Sequence, residues 1–267
     1  MWSTADPNLL ALVSTLGGAA QVWTHDLRTE AWEQLSHEPI GVDQGVWALS
    51  DGRFAWWRDG TGDERGRLVG VASGGVPEPI LPDLPDGWLT GLAFHPIRTA
   101  VGVEVEGDYR VYVVDEGEDP RLLWATSFAS GVGRAYPKTG GLSTDGSLVC
   151  IRHAERGDIL HLALRVLDAR TGAVRGDLVD AGSNVEPDAW SPVPGDQRLA
   201  FTSELGPFER PAIWDLDTGE RTDLAVDLPG AVFPIQWWPD ASALLSVTNT
   251  RAGLSRTGWI RRAWRST

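Results

Sequence analysis

The densest group of chemically capable side chains in this 267-residue chain lies between positions 153 and 161: His153, Glu155, Arg156, Asp158 and His161. Imidazoles beside carboxylates can move protons or ligate a metal ion, yet this spacing matches no dedicated metal motif. Two readings stay open. The group can sit on a loop that projects toward a substrate or a neighbouring domain, or it can be an exposed turn stitched by an Arg–carboxylate pair, with Gly157 serving the turn. The other histidines, at 25, 37 and 95, are scattered, so no metal and no cofactor is predicted. Nucleophilic hydrolysis would need a Gly-x-Ser-x-Gly elbow on a strand-to-helix turn. Gly141-Leu142-Ser143-Thr144-Asp145 ends in Asp and Gly253-Leu254-Ser255-Arg256-Thr257 ends in Thr, so neither qualifies and no catalytic residue is predicted. An isolated serine lacks a positioned base and an oxyanion hole.

The elements that must position these residues follow a repeat. An apolar anchor precedes a polar turn at Trp2, Leu49, Phe94, Leu142, Trp190 and Trp237, spaced 45–48 residues apart. The turns read STADPN, SDGR, HPIRT, STDGS, SPVPGDQ and WPDAS, and each leads into a short apolar run. LAFTS (199–203), PAIWDLD (211–217) and LVCIRH (148–153) are short and rich in β-branched and aromatic residues, as strands are. DLRTE (26–30), DARTGA (168–173) and DLDTGE (215–220) are hairpin turns in which Gly suits a positive φ. No stretch holds a helical apolar period. Short strands at a fixed period of this length are the signature of β-propeller blades. The chain is therefore predicted to be all-β, a single β-propeller domain over 1–267 with six visible four-stranded blades. A seven-bladed ring would place one more blade outside the visible six.

Composition narrows the function. Fourteen Trp suit the wedges between adjacent sheets, where large flat rings bury much area, and Trp23 and Trp214 recur at equivalent positions. A formal charge of −14 leaves no basic stripe for phosphates, which excludes nucleic acid as a partner. Among the basic residues only Lys138 is lysine. The single Cys150 sits in an apolar run and reads as a buried, inert thiol. The run NLLALVSTLGGAA (8–20) lacks the basic flank of a signal peptide and falls on a strand of the first repeat. No run reaches transmembrane length, so no membrane partner is predicted and the expected compartment is the cytoplasm.

The last repeat departs from the pattern. After LLSVTNT (244–250) the expected strand and Asp-rich turn are missing, and 251–267 instead carry Arg251, Arg256, Arg261, Arg262 and Arg265. This tail can be a basic arm, a genuine terminus, or a frame-shifted remnant of the missing elements.

GGLSTDGSLVCIRHAERGDILHLALRVLDARTG (140–172), WSPVPGDQRLAFTSELGPFERPAIWDLDTGE (190–220) and QWWPDASALLSV (236–247) resemble propeller segments of bacterial serine peptidases of the prolyl oligopeptidase family. The resemblance implies a propeller that caps and gates an α/β-hydrolase domain and filters peptide substrates, with the Ser, Asp and His of the triad in that other domain. It implies peptide substrate or an α/β-hydrolase domain as partner, and carries no catalytic residue onto this chain. A stand-alone interaction propeller of WD-repeat or Tol-system type is the alternative, and a propeller enzyme with a metal or cofactor in its channel ranks last.

Overall fold

The computed structural model describes residues 5–134, 140–156, 159–180, 182–204, 206–249 and 255–261, and these residues form strands and turns with no helix. By internal packing the chain divides into two compact units. The first comprises Met1–Leu89, Val103–Glu106 and Asp115–Pro120, the second Thr90–Gly102, Gly107–Val114 and Arg121–Thr267.

The strands follow the repeat. The first repeat gives β1 (Leu9–Ser14), β2 (Gln21–Asp26) and β3 (Ala31–Gln34), an antiparallel sheet in that order. The second gives β4 (Trp47–Ala48), β5 (Phe54–Asp59), β6 (Arg65–Val71) and the short β7 (Glu78–Pro79). The third gives β8 (Gly87–His95), β9 (Arg98–Val105), β10 (Asp108–Asp115) and β11 (Arg121–Thr126). A two-residue ladder, Arg65 with Trp88 and Gly66 with Gly87, joins β6 to the start of β8 and merges these two repeats into one eight-stranded sheet. Two separate four-stranded sheets follow: β12 (Ser130–Val132), β13 (Leu148–His153), β14 (Ala163–Asp168) and β15 (Val174–Leu178), then β16 (Val185–Trp190), β17 (Arg198–Ser203), β18 (Arg210–Asp215) and β19 (Arg221–Asp223). The last sheet holds β20 (Ala231–Trp237), β21 (Ala243–Asn249) and β22 (Ser255–Arg261).

Among the described residues the first and last repeats, at the two ends of the chain, have three strands each. One correction to the sequence reading follows. The run predicted to lack a strand forms one, because β22 pairs with β21 from Ala243–Arg261 to Asn249–Ser255. Thr257, Trp259 and Ile260 have high strand propensity, and ladder bonds need only extended backbone, whatever the departure from the repeat. The anchor Trp2 lies outside the described residues.

Alternation along one strand explains the packing. In β13, Leu148 and Cys150 join Leu164, Val166, Val185, Trp190, Leu199, Phe201 and Trp214 in one core cluster. Val149 and Ile151, on the opposite face of the same strand, join Ala100, Val111, Val113 and Val132 in another. Successive side chains point to opposite faces, so this sheet is covered on both sides and all six residues of β13 are buried. Trp190 and Trp214 are 8% and 4% exposed, as the wedge reading expects. In the first unit, Ala11, Val22, Phe54, Trp56, Val69 and Val71 form the equivalent layer between the first two repeats.

Repeat-spaced bonds tie neighbouring sheets of the second unit. Arg98 Nη1 donates to the Gly146 carbonyl at 2.6 Å, Arg121 Nη2 to Ala169 at 2.7 Å, and Thr144 Oγ1 to Ser191 at 2.5 Å. Each spans 47 or 48 residues, the repeat length, so each links equivalent positions of adjacent repeats.

Candidate functional site

The structure brings part of the predicted group together and moves its centre. His153 is not in a loop: it ends β13, opposite Ser130 of β12 and Ala163 of β14, and is fully buried. Its place in the apolar LVCIRH run, at the strand end, was the signal available in the sequence. Its ring faces two carboxylates, with Nδ1 3.9 Å from Glu155 Oε2 and Nε2 4.0 Å from Asp177 Oδ1. Both carboxylates are held by Arg165. Its Nε and Nη2 donate to Asp177 at 2.6 and 2.9 Å, and its Nη1 donates to Glu155 at 2.7 Å. The bidentate fork onto Asp177 is the geometry that makes such pairs strong. The Arg165 guanidinium also stacks over the Trp124 ring, 4.6 Å from its centroid.

Arg156 is mostly exposed and reaches Asp177 Oδ2 at 3.8 Å. The Arg–carboxylate stitching predicted for this region therefore exists, but its main cation is Arg165 on β14. His161 lies beyond, half-buried. Asp158, with Gly157, lies outside the described residues. Hydrogen bonding from Arg165 holds Asp177 below the usual carboxylate range, while burial, then Arg165, pushes the His153 imidazole below its ordinary value. Among the described residues no three His, Cys, Asp or Glu side chains converge to hold a metal ion.

The elbow-like serine is committed elsewhere. Ser143 Oγ donates to Asp145 Oδ1 at 2.7 Å and accepts the Leu148 N–H at 2.9 Å, so it staples the turn ahead of β13. It is 7% exposed and no helix follows it. Of the second elbow-like run, Gly253 and Leu254 lie outside the described residues, and Ser255 opens β22. Cys150 is buried and its thiol is pushed up by burial, which keeps it protonated and unreactive.

A second constellation went unnoticed in the sequence. In β16 the ladder to β17 shifts register between Pro187 and Ala189, leaving Asp188 at the irregularity. Its carboxylate accepts from Arg134 Nη1 at 2.5 Å and from Thr202 Oγ1 at 2.7 Å. Arg134 lies over the Phe233 ring at 5.3 Å. Two positions earlier, Glu186 accepts from Arg152 Nη1 at 3.3 Å, while Arg152 Nε donates to the Gly133 carbonyl at 2.6 Å. Burial raises the Asp188 carboxyl to about 7 against the pull of Arg134 and Thr202, and burial also raises Glu209 nearby. The partners of Asp188 are 54 and 14 residues away, so no local motif could have disclosed them.

No family model and no curated protein matches the sequence. Solved structures do match in fold. The chain is similar to TolB from Acinetobacter baumannii, at 16% identity and a TM-score of 0.55, over 96% of this chain and 63% of that one. It is similar to the β-propeller domain of the Trilobed protease from Pyrococcus furiosus, at 12% identity and a TM-score of 0.60, over 97% of this chain and 78% of that one. Porphyromonas gingivalis dipeptidyl peptidase 4 matches at 12% identity and a TM-score of 0.60, over 98% of this chain and 43% of that one. The chain is an all-β protein of the β-propeller fold. Its structural neighbours include propellers of peptidases and TolB. It spans less than two thirds of the TolB chain and under half of the dipeptidyl peptidase chain. No helix among the described residues is long and apolar enough to cross a membrane.

Proposed function

We propose that this chain is the non-catalytic, substrate-gating propeller of a prolyl-oligopeptidase-like serine peptidase of the cytoplasm, working with an α/β-hydrolase domain that supplies the triad. The observation that carries the reading is the pairing of two facts. Nearly the whole chain follows the fold of peptidase propellers, and its described elbow-like serine, Ser143, is spent on a turn. The three segments that resemble the family, 140–172, 190–220 and 236–247, all fall in the second unit and include β13, β14, β17, β18 and most of β21. Peptide and hydrolase domain are the partners this role requires.

The reading is tested in two arms. The purified chain should leave aminoacyl and peptidyl reporter substrates intact and should take up no fluorophosphonate; stoichiometric labelling of any serine would make it an enzyme. The nucleotide sequence beyond the Thr267 codon, read in all frames, should encode a strand–Gly-x-Ser-x-Gly–helix segment. Its absence there would favour the second reading, a protein-binding propeller, which the likeness to TolB over 96% of the chain supports.

A further inference from the structure

His153 combines three properties that rarely occur together: full burial, two ring nitrogens without a hydrogen-bond partner among the described residues, and a carboxylate about 4 Å from each nitrogen. A buried imidazole normally commits at least one nitrogen to a partner. The described charges that act on it come from three places. Glu155 and Arg156 come from the segment leaving β13, Arg165 from β14 and Asp177 from β15. The neutral Ser130 stands opposite on β12, and the neutral Trp124 ring of β11 lies beneath Arg165. The described charges are two arginines and two carboxylates, of which Arg165, Glu155 and Asp177 are largely buried and Arg156 is mostly exposed.

We propose that His153 is a proton-operated switch on the Arg165–Glu155–Asp177 pairing, and so on the tie between the segment leaving β13 and strands β14 and β15. At neutral pH the imidazole is neutral and Arg165 holds both carboxylates. A proton taken up on acidification places a second buried cation beside the two carboxylates that Arg165 holds, where charges interact strongly. The imidazolium then competes with Arg165 for Glu155 Oε2 and Asp177 Oδ1, and the Arg165 Nη1–Glu155 bond loosens. Glu155 is the first charged residue of a segment whose described far end, Ile159 and Leu160, is 71% and 73% exposed. Burial and the two arginines depress the imidazole, so its contribution to stability is present above the ordinary histidine range and is lost as pH falls through the lower folded value.

The test is a pH titration of the full chain by NMR, following the His153 ring nitrogens, the Glu155 amide and the Arg165 Nε–H signal together. His153 should titrate below the ordinary value of about 6.5, and the Glu155 and Arg165 signals should move with the same midpoint. Two variants that spare the buried core give opposite signs. Glu155→Gln removes a negative neighbour and should move the His153 midpoint down. Arg156→Gln, at an exposed residue, removes a positive neighbour and should move it up. Titration of His153 at or above the ordinary value would overturn the proposal. So would Arg165 and Glu155 signals that do not follow it, or variant shifts of the wrong sign.

Discussion

The indole N–H of Trp237 donates to the main-chain carbonyl of Ala189 at 2.9 Å, from β20 to β16. Trp190, one repeat earlier, makes the same bond to the Gly140 carbonyl, also at 2.9 Å. Both donors are repeat anchors, and the bonds span 48 and 50 residues, close to one repeat. The anchor tryptophans therefore do more than fill wedges: each fastens its sheet to the preceding one. Replacing Trp237 by Phe keeps most of the ring but leaves the half-buried Ala189 carbonyl without this donor. The expected cost is about 0.5–1.5 kcal/mol, read as a lower urea midpoint at unchanged slope. An unchanged midpoint would mean that the bond contributes nothing.

Glycine at 131 is required by close approach. A Cβ there would lie 2.0 Å from the Thr90 carbonyl oxygen, which is main chain and cannot swing aside. Gly131→Ala should destabilise by about 1–3 kcal/mol or prevent folding, as overpacking does. Gly60→Ala is the control, since a Cβ there meets nothing within 4 Å. Equal effects of the two changes would refute the argument.

Glu30 occupies the place in its hairpin turn that Gly172 and Gly219 hold in theirs. Its φ is 58°, against 74° for both glycines. An L-residue in the left-handed region carries a local strain of about 1 kcal/mol that glycine does not. Glu30→Gly should therefore raise stability by about 0.5 kcal/mol after the added chain entropy of the unfolded state is set against it. Thermal unfolding of the two proteins side by side checks the sign.

Asp188 gives a pH signature of its own. Its carboxyl is raised by burial to about 7 in the folded state. The folded protein therefore holds a proton there that the unfolded chain releases near pH 4. The associated stability is present at low pH and declines as pH rises toward 7. Asp188→Asn keeps one acceptor oxygen, for Thr202 or Arg134, sets a donating NH2 against the other at a cost that does not vary with pH, and cannot titrate. The difference in stability between the two proteins should change across pH 4–7 and level off above it, measured by urea unfolding at each pH. A difference independent of pH would show that Asp188 is ionised throughout.

What the sequence determined by itself was local. Strand alternation, the recurring anchors and turn chemistry such as Asp168 capping the Thr171 N–H at 2.9 Å depend on residues a few positions apart. They therefore leave a readable pattern. The all-β repeat architecture followed from that pattern. Side-chain partners were decided by the tertiary structure. The LVCIRH run marks a strand, but the full burial of His153 at its end comes from packing on both faces of β13, which the sequence does not show. Arg165 and Asp177 stayed out of the candidate site because only antiparallel pairing of β14 with β15 sets them opposite each other. Asp188 meets Arg134 only because a register shift in β16 turns it toward a residue 54 positions away. The β22 strand formed where the repeat pattern had ended, because a ladder bond is made by main chain and needs no particular side chain.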